Sequence, residues 1–172
     1  MLDLARTELV ATAGERLNDP FDPAATPDFF ARVTLKRVAA YLIDFAIVGI
    51  LSLLALAEFW VLGVLSFGLL SPLFAVVLPF IPLAYHTAFI GGPESATPGM
   101  RLFGLEVHRM EGDRPGYLQA ALQTVVFYVS VGLTSWLILL VALFNGRGRT
   151  FHDYLCGTVT IVAPKRVAVR AP

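Results

Sequence analysis

Residues 36–50, KRVAAYLIDFAIVGI, constrain this chain more than any other stretch, because they place Asp44 inside an otherwise apolar helical run. Between Val38 and Ala57 Asp44 is the only formally charged residue. At about 1.5 Å per residue that run is roughly 30 Å long, the thickness of a bilayer's hydrocarbon core. A carboxylate there costs roughly 2.5–3.5 kcal/mol even on lenient insertion scales. Arg37 precedes Asp44 by nearly two helical turns, so both lie on one helix face, about 10 Å apart along the axis.

Charge distribution leads to the same solvent. No Lys or Arg occurs from Val38 to Met100, and no charged residue of either sign from Pro115 to Gly146. The residues are 56% hydrophobic and 15% charged, with a mean hydropathy of +0.71. A water-soluble chain of 172 residues needs a polar surface and rarely writes two such runs. The formal net charge is zero, so nothing in the balance points to nucleic acid. Cys156 is the single cysteine, which excludes an internal disulfide. Through Arg37 the chain holds five Lys/Arg and six Asp/Glu with no apolar core. The first membrane helix is therefore expected to act as its own targeting signal rather than a cleaved leader.

In chain order, residues 1–28 read as a polar cytoplasmic head and linker. Leu2, Leu9, Ala13 and Leu17 could share one face of a short helix, and NDPFDPAAT at 18–26 reads as extended. Thr26-Pro27-Asp28 carries the marks of a helix start. Phe29, Phe30 and Val33 follow as an interfacial lead-in, with Arg32, Lys36 and Arg37 at headgroup level. The first span is expected to end near Phe59-Trp60, an aromatic pair suited to the far interface. Ser71-Pro72 predicts the start of a second span, with residues 59–71 lying along the outer face. Pro79 and Pro82 are expected to kink it, or to line a cavity. Leu102, Leu105 and Val107 read as a short strand, and the β-branched run at 158–162 as a second. Two lone strands of this size need to pair, hence to lie on one side of the membrane.

The third apolar segment, residues 118–144, can cross once or form a re-entrant helical hairpin. Gly132 and Thr134-Ser135 interrupt its middle. Five Lys/Arg lie in the head, three between 101 and 114, and five after Asn145. A hairpin places all of them in the cytoplasm, as the positive-inside tendency asks, so it is the preferred reading. The fold class expected is an all-α integral membrane protein: two transmembrane helices, this third segment and a small cytoplasmic β element.

Three blocks then stand out: RVAAYLID at 37–44, ATPGMRLFGLEV at 96–107 and RTFHDYLCGTVTIV at 149–162. Their order and spacing resemble the RDD family of small bacterial multi-pass membrane proteins, named for one arginine and two aspartates. The resemblance implies a membrane domain over 29–163 and a place in the bacterial plasma membrane; residues 164–172 are then a basic tail, and the distribution of Lys/Arg places the N-terminus in the cytoplasm. The resemblance matches the arginine to Arg37 and the aspartates to Asp44 and Asp153. The family motif positions carried over are Thr97, Pro98, Gly99, Arg101, Gly104, His152, Asp153, Gly157 and Thr158. Two positions depart from the pattern: Met100, where a basic residue is usual, and Cys156, where a small one is. The activity implied is transport of a small cation or proton, some members being described as antiporter-like.

Asp44 is the leading ion or proton candidate, since desolvation disfavours its charged form. The plain alternative is a buried anchor bonded to Arg37, Arg101 or backbone. Arg37 with Asp153 reads as a latch between tail and first span, or as a gate. His86 could relay protons or simply be hydrogen-bonded. His86, His108 and His152 lie far apart with no cysteine pattern, so no metal or other cofactor is expected. No phosphate loop, nucleophile elbow or Cys/His set occurs, and no enzyme activity is expected. Two functions remain: a carrier centred on Asp44, or a non-transporting scaffold or assembly factor anchored by Arg37, Asp44 and Asp153. The partners expected are the lipid bilayer and a second copy or another membrane protein.

Overall fold

The computed structural model describes residues 19–134 and 146–163. Helix α1 (Val33–Leu65) is followed by α2 (Ser71–Val77), α3 (Phe80–Ile90), α4 (Pro98–Leu102), β1 (Leu105–Arg109), α5 (Tyr117–Thr134), α6 (Phe151–Leu155) and β2 (Thr158–Val162). Among the described residues, three helical segments are long and apolar enough to cross a membrane: the one ending at Leu65, the α2–α3 pair and α5.

Their polarity is inverted relative to a helix in water. On α5 the buried residues are Ala120, Gln123, Thr124 and Ser130, whereas Leu118, Leu122, Val125, Val129 and Leu133 are exposed. The exposed set recurs at helical spacing along one side. Burying Gln and Thr while presenting Leu and Val makes sense only where the surroundings are apolar.

Helix α1 is longer than the sequence predicts. Its 33 residues, about 50 Å, run past Phe59-Trp60 without a break. Phe59 packs on Phe74 of α2 with ring centroids 4.3 Å apart. Residues 59–65 are thus helix rather than a lead-in along the outer face, and the turn occupies 66–70. Aromatic residues mark an interface but remove no backbone hydrogen bond, so they do not stop a helix. The second segment does begin at Ser71, although Ser71 is its first residue and not a capping side chain. Pro79 separates α2 from α3, while Pro82 sits in the first turn of α3 without breaking it.

At one end of the helices lies a polar cap. β1 and β2 pair antiparallel, with Leu105 opposite Val162 and Arg109 opposite Thr158. The sheet is covered on both faces, which explains the unbroken β-branched run of β2. Val107 packs with Ile90 and Ala120, and Val159 and Ile161 pack with Phe21. Leu102 belongs to α4, not to the strand.

Residues 19–25 are not an extended linker. They form turns closed by the side chains of Asp19 and Asp22, and Phe21 is buried. Thr26 does not cap a long helix. Its hydroxyl donates to Asp22 O, and one 3₁₀ turn (Pro27–Phe30) precedes Arg32, whose left-handed φ of 54° resets the chain before α1. Phe29 and Phe30 pack on the sheet core rather than facing lipid.

α5 passes through Gly132 uninterrupted. Whether the third segment crosses or returns turns on 135–145, which lie outside the described residues, as do the head residues 1–18 and the tail 164–172. Its two flanks nonetheless sit at one end: Gln119 near the start of α5 donates to Cys156 O, and Gly148 O accepts from Arg37.

Replacing Phe21 by Ala should remove about 3–5 kcal/mol from docking of the 19–31 segment. Limited proteolysis should then cut near residues 19–25 many times faster, with the β1–β2 pairing intact by hydrogen exchange.

Candidate functional site

Asp44 is buried, with 3% of its surface exposed. Three donors from two other elements meet its carboxylate. Tyr85 Oη of α3 lies 2.8 Å from Oδ1, Thr97 Oγ1 lies 2.5 Å from Oδ2, and the Gly99 N–H of α4 donates to Oδ1 at 2.9 Å. The Thr-Pro-Gly sequence gains a physical reading from this contact. Thr97 caps α4 by accepting from Met100 N while giving its proton to Asp44, and Pro98 opens the helix. Gly99 admits the close approach: a Cβ there would meet Ala40 O at 2.2 Å and Asp44 Oδ2 at 2.8 Å.

Arg37 does not reach Asp44. Its Nη1 donates to Asp153 Oδ2 at 2.6 Å and to Gly148 O at 2.9 Å. Asp153, fully buried, also accepts from Thr150 N at 3.0 Å, Thr150 Oγ1 at 2.8 Å and Gln123 Nε2 at 3.0 Å. Thr150 and Asp153 have the three-residue spacing of a capping box, so the aspartate closes the first turn of α6 while it binds Arg37. Gly148 adopts φ +58°, and a Cβ there would come within 2.7 Å of Val33 Cγ1. Thr158 Oγ1 lies 3.5 Å from the same carboxylate.

Burial pushes the Asp153 carboxyl up, but Arg37, His152 and the hydrogen bonds outweigh it and hold the group well below the usual carboxylate range. Burial dominates at His152 and brings its pKa down to about 4, against the opposing pull of Asp153. The neutral ring sits with Nε2 2.9 Å from Thr150 Oγ1 and its edge toward Phe127. Burial also lowers Arg149, whose guanidinium donates to Asp153 O, and raises the Cys156 thiol, where the Asp153 charge adds to the effect.

Arg101 pairs with Glu94 at 2.8 Å, donates to Ala96 O and stacks over Phe89, and is not among the donors that meet the Asp44 carboxylate. His86 Nδ1 is 2.9 Å from Pro82 O and 3.4 Å from the Tyr128 hydroxyl. Gly104 and Gly157 take left-handed φ values of 64° and 62° at the turns into β1 and β2. Among the described residues no group of three or more His, Cys, Asp or Glu comes together around a metal-sized site. A cavity of about 520 Å³ lies between α1, α3 and α5, and Arg37, Tyr41, Asp44, His86, Thr150 and His152 all reach its wall. Sequence reasoning missed Tyr85, Gln123 and Thr150. The only local signals were the Thr150–Asp153 spacing and the Gln119–Gln123 pair in an apolar run.

The fold and site define a helical protein with three membrane-length apolar segments among the described residues, held by an Arg37–Asp153 clasp and by a second buried aspartate, Asp44. The chain belongs to the RDD family, whose model matches residues 32–157. No match was found among curated proteins or among solved structures.

Two outcomes follow from this geometry. Between pH 6.5 and about 4 the unfolded chain holds the His152 proton and the folded chain does not, so stability rises with pH there by up to about 3 kcal/mol. Asp153 adds stability that is present above its unfolded value and lost at still lower pH. Thermal unfolding in detergent should show a midpoint falling from pH 6.5 to 4, with a shallower fall in His152→Gln. Gly99→Ala should destabilise more than Tyr85→Phe, which removes one hydrogen bond to a carboxylate worth about 1.5–3 kcal/mol; equal midpoints for the two would contradict the close approach at Gly99.

Proposed function

We propose that this chain is a multi-pass protein of the bacterial plasma membrane, with a cytoplasmic N-terminus, that works as a non-transporting scaffold or assembly factor. The observation that carries the reading is that three protein donors converge on the buried Asp44 carboxylate and fill three of its roughly four acceptor sites. A cation or added proton there competes with these donors for the carboxylate, and through them Asp44 holds α3 and α4 on α1. Asp153 is met more fully still, by Arg37, two donors of Thr150 and Gln123. Both aspartates then serve as anchors, and the cap they fix supplies a rigid surface for a second copy or another membrane protein. The orientation draws on the basic residues. Arg37, Arg109, Arg114, Arg147 and Arg149 all bond within or beside the cap.

Transport of a small cation or proton is the second reading. The cavity favours it, because Asp44 and Arg37 of α1 and His86 of α3 all line it. Purified protein in vesicles under an imposed pH gradient, with sodium, potassium and lithium added in turn, separates the two. The scaffold reading expects no ion-dependent dissipation from wild type. It also expects Asp44→Asn to lose stability on the order of 1–3 kcal/mol, because an amide cannot accept from all three donors. Dissipation by wild type that vanishes in a normally folded Asp44→Asn would establish the carrier instead.

A further inference from the structure

The outward face of α6 carries chemistry that neither aspartate site uses. In this helix His152 and Asp153 are buried, whereas Phe151, Tyr154 and Leu155 are 40%, 49% and 61% exposed. A short helix beside a polar cap in water would present the opposite face. Its position explains the inversion. Gln119 and Gln123 of α5 bond Cys156 O and Asp153, which seats α6 against the first two turns of α5. In those turns Tyr117 and Leu118 are also exposed. Leu118 opens the outward stripe that continues through Leu122, Val125, Val129 and Leu133. The apolar face of α6 is therefore continuous with the face that α5 turns toward hydrocarbon. At its margin the Arg149 guanidinium lies 4.2 Å from the centre of the Tyr154 ring. A tyrosine among exposed Phe and Leu side chains, apolar in its body and polar at its hydroxyl, is the composition of a headgroup boundary, and the Arg149 guanidinium is buried against its ring.

We propose that α6 and the first turn of α5 form an interfacial foot whose partner is the phospholipid bilayer itself. Phe151, Tyr154 and Leu155 lie between headgroups and acyl chains, and the Arg37–Asp153 pair behind them sits at headgroup level. The role that the sequence assigns to Phe29 and Phe30 passes to α6, since those two rings are spent on the sheet core. The foot also links lipid to the clasp, because Asp153 and Tyr154 are neighbours on one helical turn.

This inference rests on the membrane reading, and the test separates the two. Full-length protein carrying Cys156→Ser is reconstituted in phosphatidylcholine–phosphatidylglycerol vesicles, with one cysteine introduced by Leu155→Cys, Val129→Cys or Glu111→Cys. Each is labelled with a nitrobenzoxadiazole fluorophore and quenched by aqueous iodide or by phospholipid nitroxides at shallow and deep positions. The expected result at 155 is quenching about twofold stronger by the shallow than by the deep nitroxide, with little from iodide, as burial by about 5–10 Å requires. The label at 129 should respond to the deep nitroxide and the label at 111 to iodide. Iodide quenching at 155 equal to that at 111 overturns the foot. So does shielding from all quenchers, which would mean that protein covers this face. Absence of lipid quenching at 129 as well overturns the membrane reading itself. If Leu155→Cys does not accumulate, Phe151→Cys reads the same face.

Discussion

The Arg37–Asp153 ion pair is the contact on which the rest of this structure depends, because three remote parts of the chain meet there. Arg37 belongs to the first turns of α1, Asp153 to α6, and the remaining bonds to Asp153 come from α5 and from the turn before α6. A carboxylate buried this completely loses several kcal/mol of hydration, which one ion pair alone does not reliably return. Here two Thr150 donors and Gln123 add to Arg37, so no charge is left uncompensated. Such a pair contributes less to net stability than to uniqueness. Any other packing of α6 on α1 would strand a buried charge.

Asp44 repeats the device one step deeper along the same helix. It gathers α3 through Tyr85 and α4 through Thr97 and Gly99. Together the two sites tie α3, α4, α5 and α6 to α1 by polar contacts, beside the apolar cluster that Val33 and Ala40 form with Leu105. That choice follows from the solvent the exposed Leu, Val and Phe side chains imply. In hydrocarbon, apolar contacts between helices gain nothing over contacts with lipid, so close packing and internal hydrogen bonds must hold the bundle. The missing Cβ of Gly99 and the inward-facing Gln123 and Thr124 are what such a bundle requires.

Much of this was legible in the sequence, for identifiable reasons. An isolated Asp44 in an apolar run, with Arg37 nearly two turns before it on the same helix face, is a strong signal because burial of charge is so costly. The pairing of residues 105–109 with 158–162 followed from the instability of lone strands. The reading failed where a local signal competed with tertiary contact. Thr26-Pro27-Asp28 has the letters of a helix start, but Asp22 takes the Thr26 hydroxyl and Arg32 breaks the chain again. The 18–26 segment has linker composition, yet Phe21 finds the face of β2. The partners of Asp44 could not be ranked at all. Tyr85 lies 41 positions away, and Arg101, the charged candidate, is held by Glu94.

A double-mutant cycle on Arg37 and Asp153 tests this account most directly. Stability of the full-length protein would be measured for Arg37→Met, Asp153→Leu and the pair. Each single change leaves one charge buried alone and should cost about 3–5 kcal/mol, while the double variant should cost clearly less than their sum. Additivity within about 0.5 kcal/mol would mean that the two residues act independently, and the clasp would not be what joins α6 to the first helix.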